Sequence, residues 1–133
     1  MKQAAVIGLA CLLVLAVSAC AARSQVRPQK GNSVAAASHN EPVCFIQGPL
    51  PSSIEYQVIG QILGSKRWYG SSSEVLSVMA NEARRVGADV VMKLVTGTDV
   101  NVIAWARPVG EGTAVKLKDK DSFDCKYYDG RFF

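Results

Sequence analysis

Read for its apolar and polar positions, the chain divides into three stretches. From Ala4 to Ala19 no charge interrupts an apolar run. Residues 21–41 show no apolar periodicity, and residues 42–133 carry the patterns of a folded domain. In that domain Glu55–Leu63, "EYQVIGQIL", alternates in part and is rich in Val, Ile and Tyr, which predicts a strand. Gly60 inside it predicts a bulge or a close backbone approach. "GSKRWYGSS" follows as a loop bracketed by Gly64 and Gly70. Ser71 and Glu74 then make the S-x-x-E of a capping box. Val75, Leu76, Met79, Ala83 and Val86 recur on one helical face, and Gly87 stands where a helix stops. Ala88–Val95 reads as a second strand and "TGTD" as a turn. Val100–Val109 alternates as a third strand, with Trp105 as packing and Pro108 at a fraying or edge position. Gly110-Glu111-Gly112 reads as a tight turn, and Thr113–Lys118 returns as a fourth strand. This order, β-α-β-β-β or β-α-β-β, predicts an α+β fold: a small mixed sheet of about four strands with one helix packed on one face. The helical crossover should be right-handed and bring the first two strands parallel.

Composition changes the picture most at the N-terminal side. "AARSQVRPQKGNSVAAASHNEP" is Ala, Ser, Gln, Asn and Pro with Arg23, Arg27 and Lys30. Such a segment buries too little surface to offset its ordering entropy, which predicts a flexible tether. At 5–6 Å times the square root of its length, such a tether has a mean span of roughly 25 Å. The formal charge of +4 is concentrated there and in Lys2. Residues 42–133 carry 11 basic and 10 acidic side chains, a net of +1, so the basic isoelectric point is no argument for nucleic acid. The tether cations could sit near anionic headgroups, or be ordinary solvated linker charge.

Lys2 followed by a run shorter than the ~20 apolar residues of a membrane span has the pattern of a secretory signal. Its end, Val17-Ser18-Ala19-Cys20, resembles the lipobox of bacterial lipoproteins. That resemblance implies cleavage before Cys20, acylation of its thiol and new amine, and anchoring of the mature chain in a membrane, which more than one acyl chain makes firm. Ala21, where an aspartate would mark inner-membrane retention, implies the outer membrane of a Gram-negative cell, with the domain in the periplasm. The expected organisation is a signal over 1–19, a lipidated tether over 20–41 and a small periplasmic domain over 42–133. Cys11 leaves with the signal. Cys44 and Cys125 remain, near the two ends of the domain, and an oxidising compartment predicts a bridge between them. Two free thiols or an intermolecular bond are the alternatives. Closing such a loop stabilises by roughly 4–5 kcal/mol in the chain-entropy model.

The block "EYQVIGQILG…SEVLSVMANEARRVGADVVMKLV" is a strand, an Ala- and Arg-rich helix, Gly-Ala-Asp and an apolar strand. It resembles the small domain of YbjQ-type proteins and the periplasmic part of RcsF-type lipoproteins. Glu82-Ala83 and Gly87-Ala88-Asp89-Val90-Val91 carry the resemblance. It implies the fold, and more distantly a role in sensing envelope stress. RcsF-type domains carry two disulfides, whereas this domain has cysteines for one.

Candidate chemistry is sparse. The domain has no histidine, since His39 lies in the tether, so Ser-His and Cys-His schemes are excluded. Two cysteines do not fill a zinc shell, and no metal or cofactor is expected. Asp119, Asp121, Asp124 and Asp129 could bind a hard cation weakly, but Lys118, Lys120 and Lys126 interleave them as in a solvated segment. Ser71-Ser72-Ser73 reads as turn and cap. Glu55, Arg84 and Arg85 read as solvent-facing salt-bridge formers. Lys66, Arg67, Trp68 and Tyr69 have the composition of a contact site, with a folded-back lid over the helix as the alternative. "YYDGRFF" would pack near Cys125 or offer an aromatic patch. The expectation is a non-enzymatic lipoprotein that serves as an interaction or stress-sensing module for an envelope protein. The alternative is a structural or assembly accessory that binds cell wall or an outer-membrane protein.

Overall fold

A computed structural model describes residues 21–30, 36–100, 102 and 106–133. The signal expected over 1–19, Cys20 and Trp105 lie outside the described residues. Among the described residues six strands and one helix form an open α+β sheet: β1 (Arg23–Pro28), β2 (Cys44–Phe45), β3 (Tyr56–Ser65), α1 (Ser72–Arg85), β4 (Val90–Asp99), β5 (Arg107–Leu117) and β6 (Arg131–Phe132). Their order across the sheet is β1-β3-β5-β4-β2-β6.

The helix forms where the apolar spacing places it. Glu74 reaches back to accept the Ser71 backbone N–H at 2.9 Å, the acidic arm of the capping box. Val75, Met79, Ala80 and Ala83 are buried against the sheet. At the other end Gly87 takes φ +78, the Ala88 N–H bonds the Ala83 carbonyl at 2.9 Å and the Gly87 N–H bonds the Arg84 carbonyl at 3.1 Å. This left-handed stop turns the chain directly into β4.

Three expectations are corrected. First, the sheet has six strands and not about four. β3 and β4 are parallel, but β5 lies between them and pairs antiparallel with both. Insertion of β5 satisfies both neighbours with one long strand. Second, "TGTD" ends β4 and Gly110–Gly112 lies inside β5, so neither is a turn. The hairpin connection falls between Asp99 and Arg107, which pair across it, inside the stretch expected to be a third strand. Asn101 and residues 103–105 of that stretch lie outside the described residues. Glycine is in the sheet for closeness: a Cβ on Gly110 would come within 2.8 Å of the Met79 sulfur, and one on Gly112 within 2.5 Å of Val91.

Third, segments expected to be tether pack on the domain. β1 pairs antiparallel with β3 from Arg23↔Ser65 to Pro28↔Gly60. Edge pairing draws on backbone hydrogen bonds and needs little apolar side chain, so composition does not reveal it. Gly60, at a register shift of β3, admits the approach; a Cβ there would lie 2.3 Å from the Arg27 carbonyl oxygen. Val26 packs against the helix-side core, and its backbone N–H bonds the Glu82 carboxylate. Farther on, Ala36 lies against Gly87, and the His39 N–H bonds the Arg84 carbonyl at 3.2 Å.

The sheet has a core on each face. On the helix side Val43, Phe45, Ile59, Ile62, Val91 and Ala114 meet α1. On the other side Cys44, Ile46, Val90, Met92, Val115 and Leu117 are covered by the segment after β2 and the chain beyond β5, including Leu50, Phe123 and Tyr128. Among the described residues that cover extends over one end of the second face.

Candidate functional site

The end of the second face that no other described segment covers forms a shallow depression of about 690 Å³. Its floor comes from alternate residues of the four strands β1, β3, β5 and β4. Leu63, Val109 and Val95 supply apolar atoms; Arg23, Arg27 and Glu111 supply charge. The register brings them together, because Gln25 pairs with Leu63, Leu63 with Glu111, and Glu111 with Val95. Gln61 donates to Glu111 at 3.1 Å. Asp99 accepts from Arg107 at 2.6 Å and from the Val100 N–H at 2.8 Å. Those two bonds hold the Asp99 carboxyl below its ordinary range, the arginine more than the backbone. Val95 is 68 % exposed, large for an apolar residue in a strand.

The loop singled out by sequence adjoins this face. Lys66 follows β3, and its N–H bonds the Pro108 carbonyl at 3.1 Å. Its ammonium bonds Glu74 at 2.7 Å and, with the Ser71 N–H, holds that carboxyl below its ordinary range. Lys66 is therefore committed to the helix cap. Arg67, Trp68 and Tyr69 point outward, with Trp68 38 % and Tyr69 55 % exposed. Neither aromatic ring belongs to the two buried cores.

A second cluster gathers at the covered end of the sheet. Asp89 is buried, and its Oδ2 accepts the Leu117 N–H at 3.0 Å. Its Oδ1 lies 3.1 Å from the Lys116 ammonium, 3.5 Å from Lys120 and 3.7 Å from His39 Nε2. Nε2 itself donates to the Ala88 carbonyl at 2.8 Å, which leaves the buried Nδ1 without a partner among the described residues. Lys120 also pairs with Glu41. The cluster pins the 36–41 segment, the start of β4 and the end of β5 to one another. Sequence reasoning placed His39 in a tether, so the cluster was hidden; the Gly-Ala-Asp step after the helix was its one visible member.

Cys44 and Cys125 form a disulfide, with Cα atoms 5.9 Å apart. Gly130 closes over it: a Cβ there would come within 2.6 Å of one sulfur and 2.7 Å of the other. The C-terminal aromatics divide. Phe133 packs edge-on against Phe45 at 5.2 Å and Tyr128 stacks on Phe123 at 5.3 Å, while Tyr127 and Phe132 are exposed. Asp119 and Asp124 accept the N–H groups of Asp121 and Lys126, as turn-forming aspartates do. Among the described residues no three His, Cys, Asp or Glu side chains group to hold a metal, and no helix is long and apolar enough to cross a membrane.

Comparison with protein-family models, curated proteins and solved structures returns no match for this chain.

Proposed function

We propose that the protein is a non-enzymatic lipoprotein of the outer membrane, acylated at Cys20, whose periplasmic domain docks an envelope protein through the open face of its sheet. The uncovered face around Leu63, Val95 and Val109 carries the proposal. An apolar centre rimmed by Arg27 and Glu111 has the anatomy of a non-obligate contact, in which a modest dry patch supplies affinity and the rim supplies register. The outer strand edge of β4 adds to it. β2 pairs with β4 only at Val90 and Val91, and further main-chain bonds reach Lys93 and Leu94 from Gly48 and Ile46. From Val95 onward β4 is exposed, and a partner strand could extend the sheet there. The non-enzymatic reading draws support from Asp89, the buried acid, whose lone pairs are taken by donors.

The experiment is site-specific photo-crosslinking in intact cells, with the photoreactive residue at Val95 or Gln25. A discrete protein adduct from both positions, lost with Leu63→Asp, supports the reading. Adducts to cell-wall fragments would favour the structural accessory, and no adduct at either position removes the sheet face as a docking surface.

A further inference from the structure

The proposed anchor and the first strand stand close together. Arg23, the start of β1, is three residues after Cys20, a reach of at most about 10 Å. An acyl group on Cys20 therefore leaves the domain almost no tether. The end of the sheet that holds Arg23 must lie at the headgroup layer.

Strand polarity decides what else is at that end. Arg23 pairs with Ser65, Ser65 with Val109, and Val109 with Gly97, so these residues form one row across the sheet. Beyond the row lie the Lys66–Gly70 loop and, after β4, Val100 and Val102. Ala21, Arg23, Ser65 and Arg67 together line a hollow of about 260 Å³. The same end exposes Trp68 and Tyr69, and at the hairpin Val100 and Val102 are 70 % and 104 % exposed. Its cations are Arg23, Lys66, Arg67 and Arg107, against the acids Glu74 and Asp99. The opposite end interleaves its acids, Glu41, Glu55, Asp119, Asp121 and Asp124, with Lys118, Lys120 and Lys126, two of which pair with Glu55 and Glu41. Cations beside exposed Trp, Tyr and aliphatic tips are what a water–lipid interface accepts. The rings sit at headgroup depth and the guanidinium groups meet phosphate.

We propose that this end of the domain is a membrane-seating surface. The Arg23–Arg67 hollow receives the phosphate of an anionic phospholipid headgroup, and Trp68 with Val100 and Val102 enters the interface beside it. The inference rests on acylation of Cys20. It assigns Arg67, Trp68 and Tyr69 to the lipid surface and leaves the open sheet face, which then stands upright from the membrane, to a protein partner.

The test uses the mature acylated protein carrying Trp105→Phe, so that Trp68 is its one tryptophan. It is reconstituted in vesicles of phosphatidylethanolamine and phosphatidylglycerol, or of phosphatidylcholine alone, each with lipids brominated near the headgroup. Mass spectrometry first confirms the acyl chains. An unacylated Cys20 refutes the anchor reading and this inference with it. With the anchor present, Trp68 emission should be quenched strongly in the anionic vesicles and weakly in phosphatidylcholine. The difference should shrink at about 1 M salt, where screening acts within ~3 Å. Arg23→Gln with Arg67→Gln should lose most of the quenching at an unchanged melting temperature. Unquenched Trp68 in anchored protein overturns the proposal and leaves the anchor reading intact. Equal quenching in both lipids, insensitive to salt, overturns the phosphate assignment on which it is built. Photo-crosslinking of Tyr69 to a protein in place of lipid would overturn it in favour of a protein contact.

Discussion

Single residues carry more than their size suggests at Asp89 and Gly130. Asp89 is buried with Lys116 and Lys120 on one carboxylate oxygen and the Leu117 N–H on the other. Removal of one partner from a buried pair costs more than the pair itself contributes, because the groups left behind stay desolvated. Asp89→Ala is expected to destabilise by about 3 kcal/mol, the low end for a broken buried pair, since both lysines can swing toward water. Asp89→Asn keeps an acceptor for Leu117 and should cost less; urea unfolding of the two variants ranks them. Gly130 lies between the two sulfurs of the disulfide and the Cys125 carbonyl. Gly130→Ala should lose about 1–3 kcal/mol by overpacking, measured as a lower unfolding midpoint. Neither role was legible in the sequence. Asp89 gained its partners from strands and a segment distant in the chain, and Gly130 looked like an ordinary turn residue.

At the level of elements, periodicity spoke clearly where side chains decide the structure and poorly where the backbone does. The helix was legible because Val75, Met79 and Ala83 bury one face and Gly87 ends it with a positive φ. β3 and the first half of β4 were legible for the same reason. β1 was not, since Arg23, Gln25 and Arg27 face solvent and the strand is held by main-chain bonds to β3. The β4–β5 hairpin was misplaced because its glycines, Gly97, Gly110 and Gly112, read as turns, whereas Gly110 and Gly112 make room for Met79 and Val91. Of the candidate site, the 66–69 loop was visible and the open face was not, because a face exists only once strand order is known. The hairpin and the helix start share an acid-sensitive device. Arg107 holds the Asp99 carboxyl below its ordinary value, and Lys66 with the Ser71 N–H does so for Glu74. A depressed folded pKa means these bonds contribute fully above the unfolded carboxylate range and are lost as pH falls through the folded value. The protection of the Val100 and Ser71 amides against hydrogen exchange should therefore be unchanged from neutral pH down through the ordinary carboxylate range. Relative to its intrinsic rate exchange should quicken only below that range. Acceleration at mildly acidic pH would show that the pairs do not hold these amides.

For the whole molecule the governing problem is size. A chain this short buries a small core, split here between two sheet faces, and the second is covered by irregular segments with few main-chain pairs of their own. The disulfide acts on that weaker half. It joins β2 to the segment after β5, and the chain between the two cysteines includes β3, α1, β4 and β5. The loss from Cys44→Ala with Cys125→Ala should approach the roughly 4–5 kcal/mol of the chain-entropy model, because the cross-link restricts most of the unfolded domain. The native state should show the change unevenly. Phe123, Tyr128 and Leu50 depend on the bridge for their position, whereas the α1 core of Ile62, Met79 and Val75 has its own packing. In the double variant, amides around Cys125 to Gly130 should lose protection at a free energy well below that of global unfolding, and those of α1 and β5 should exchange together with it. Loss of protection at one common free energy across both faces would mean that the two cores unfold as a single unit, with the bridge stabilising the sheet as a whole.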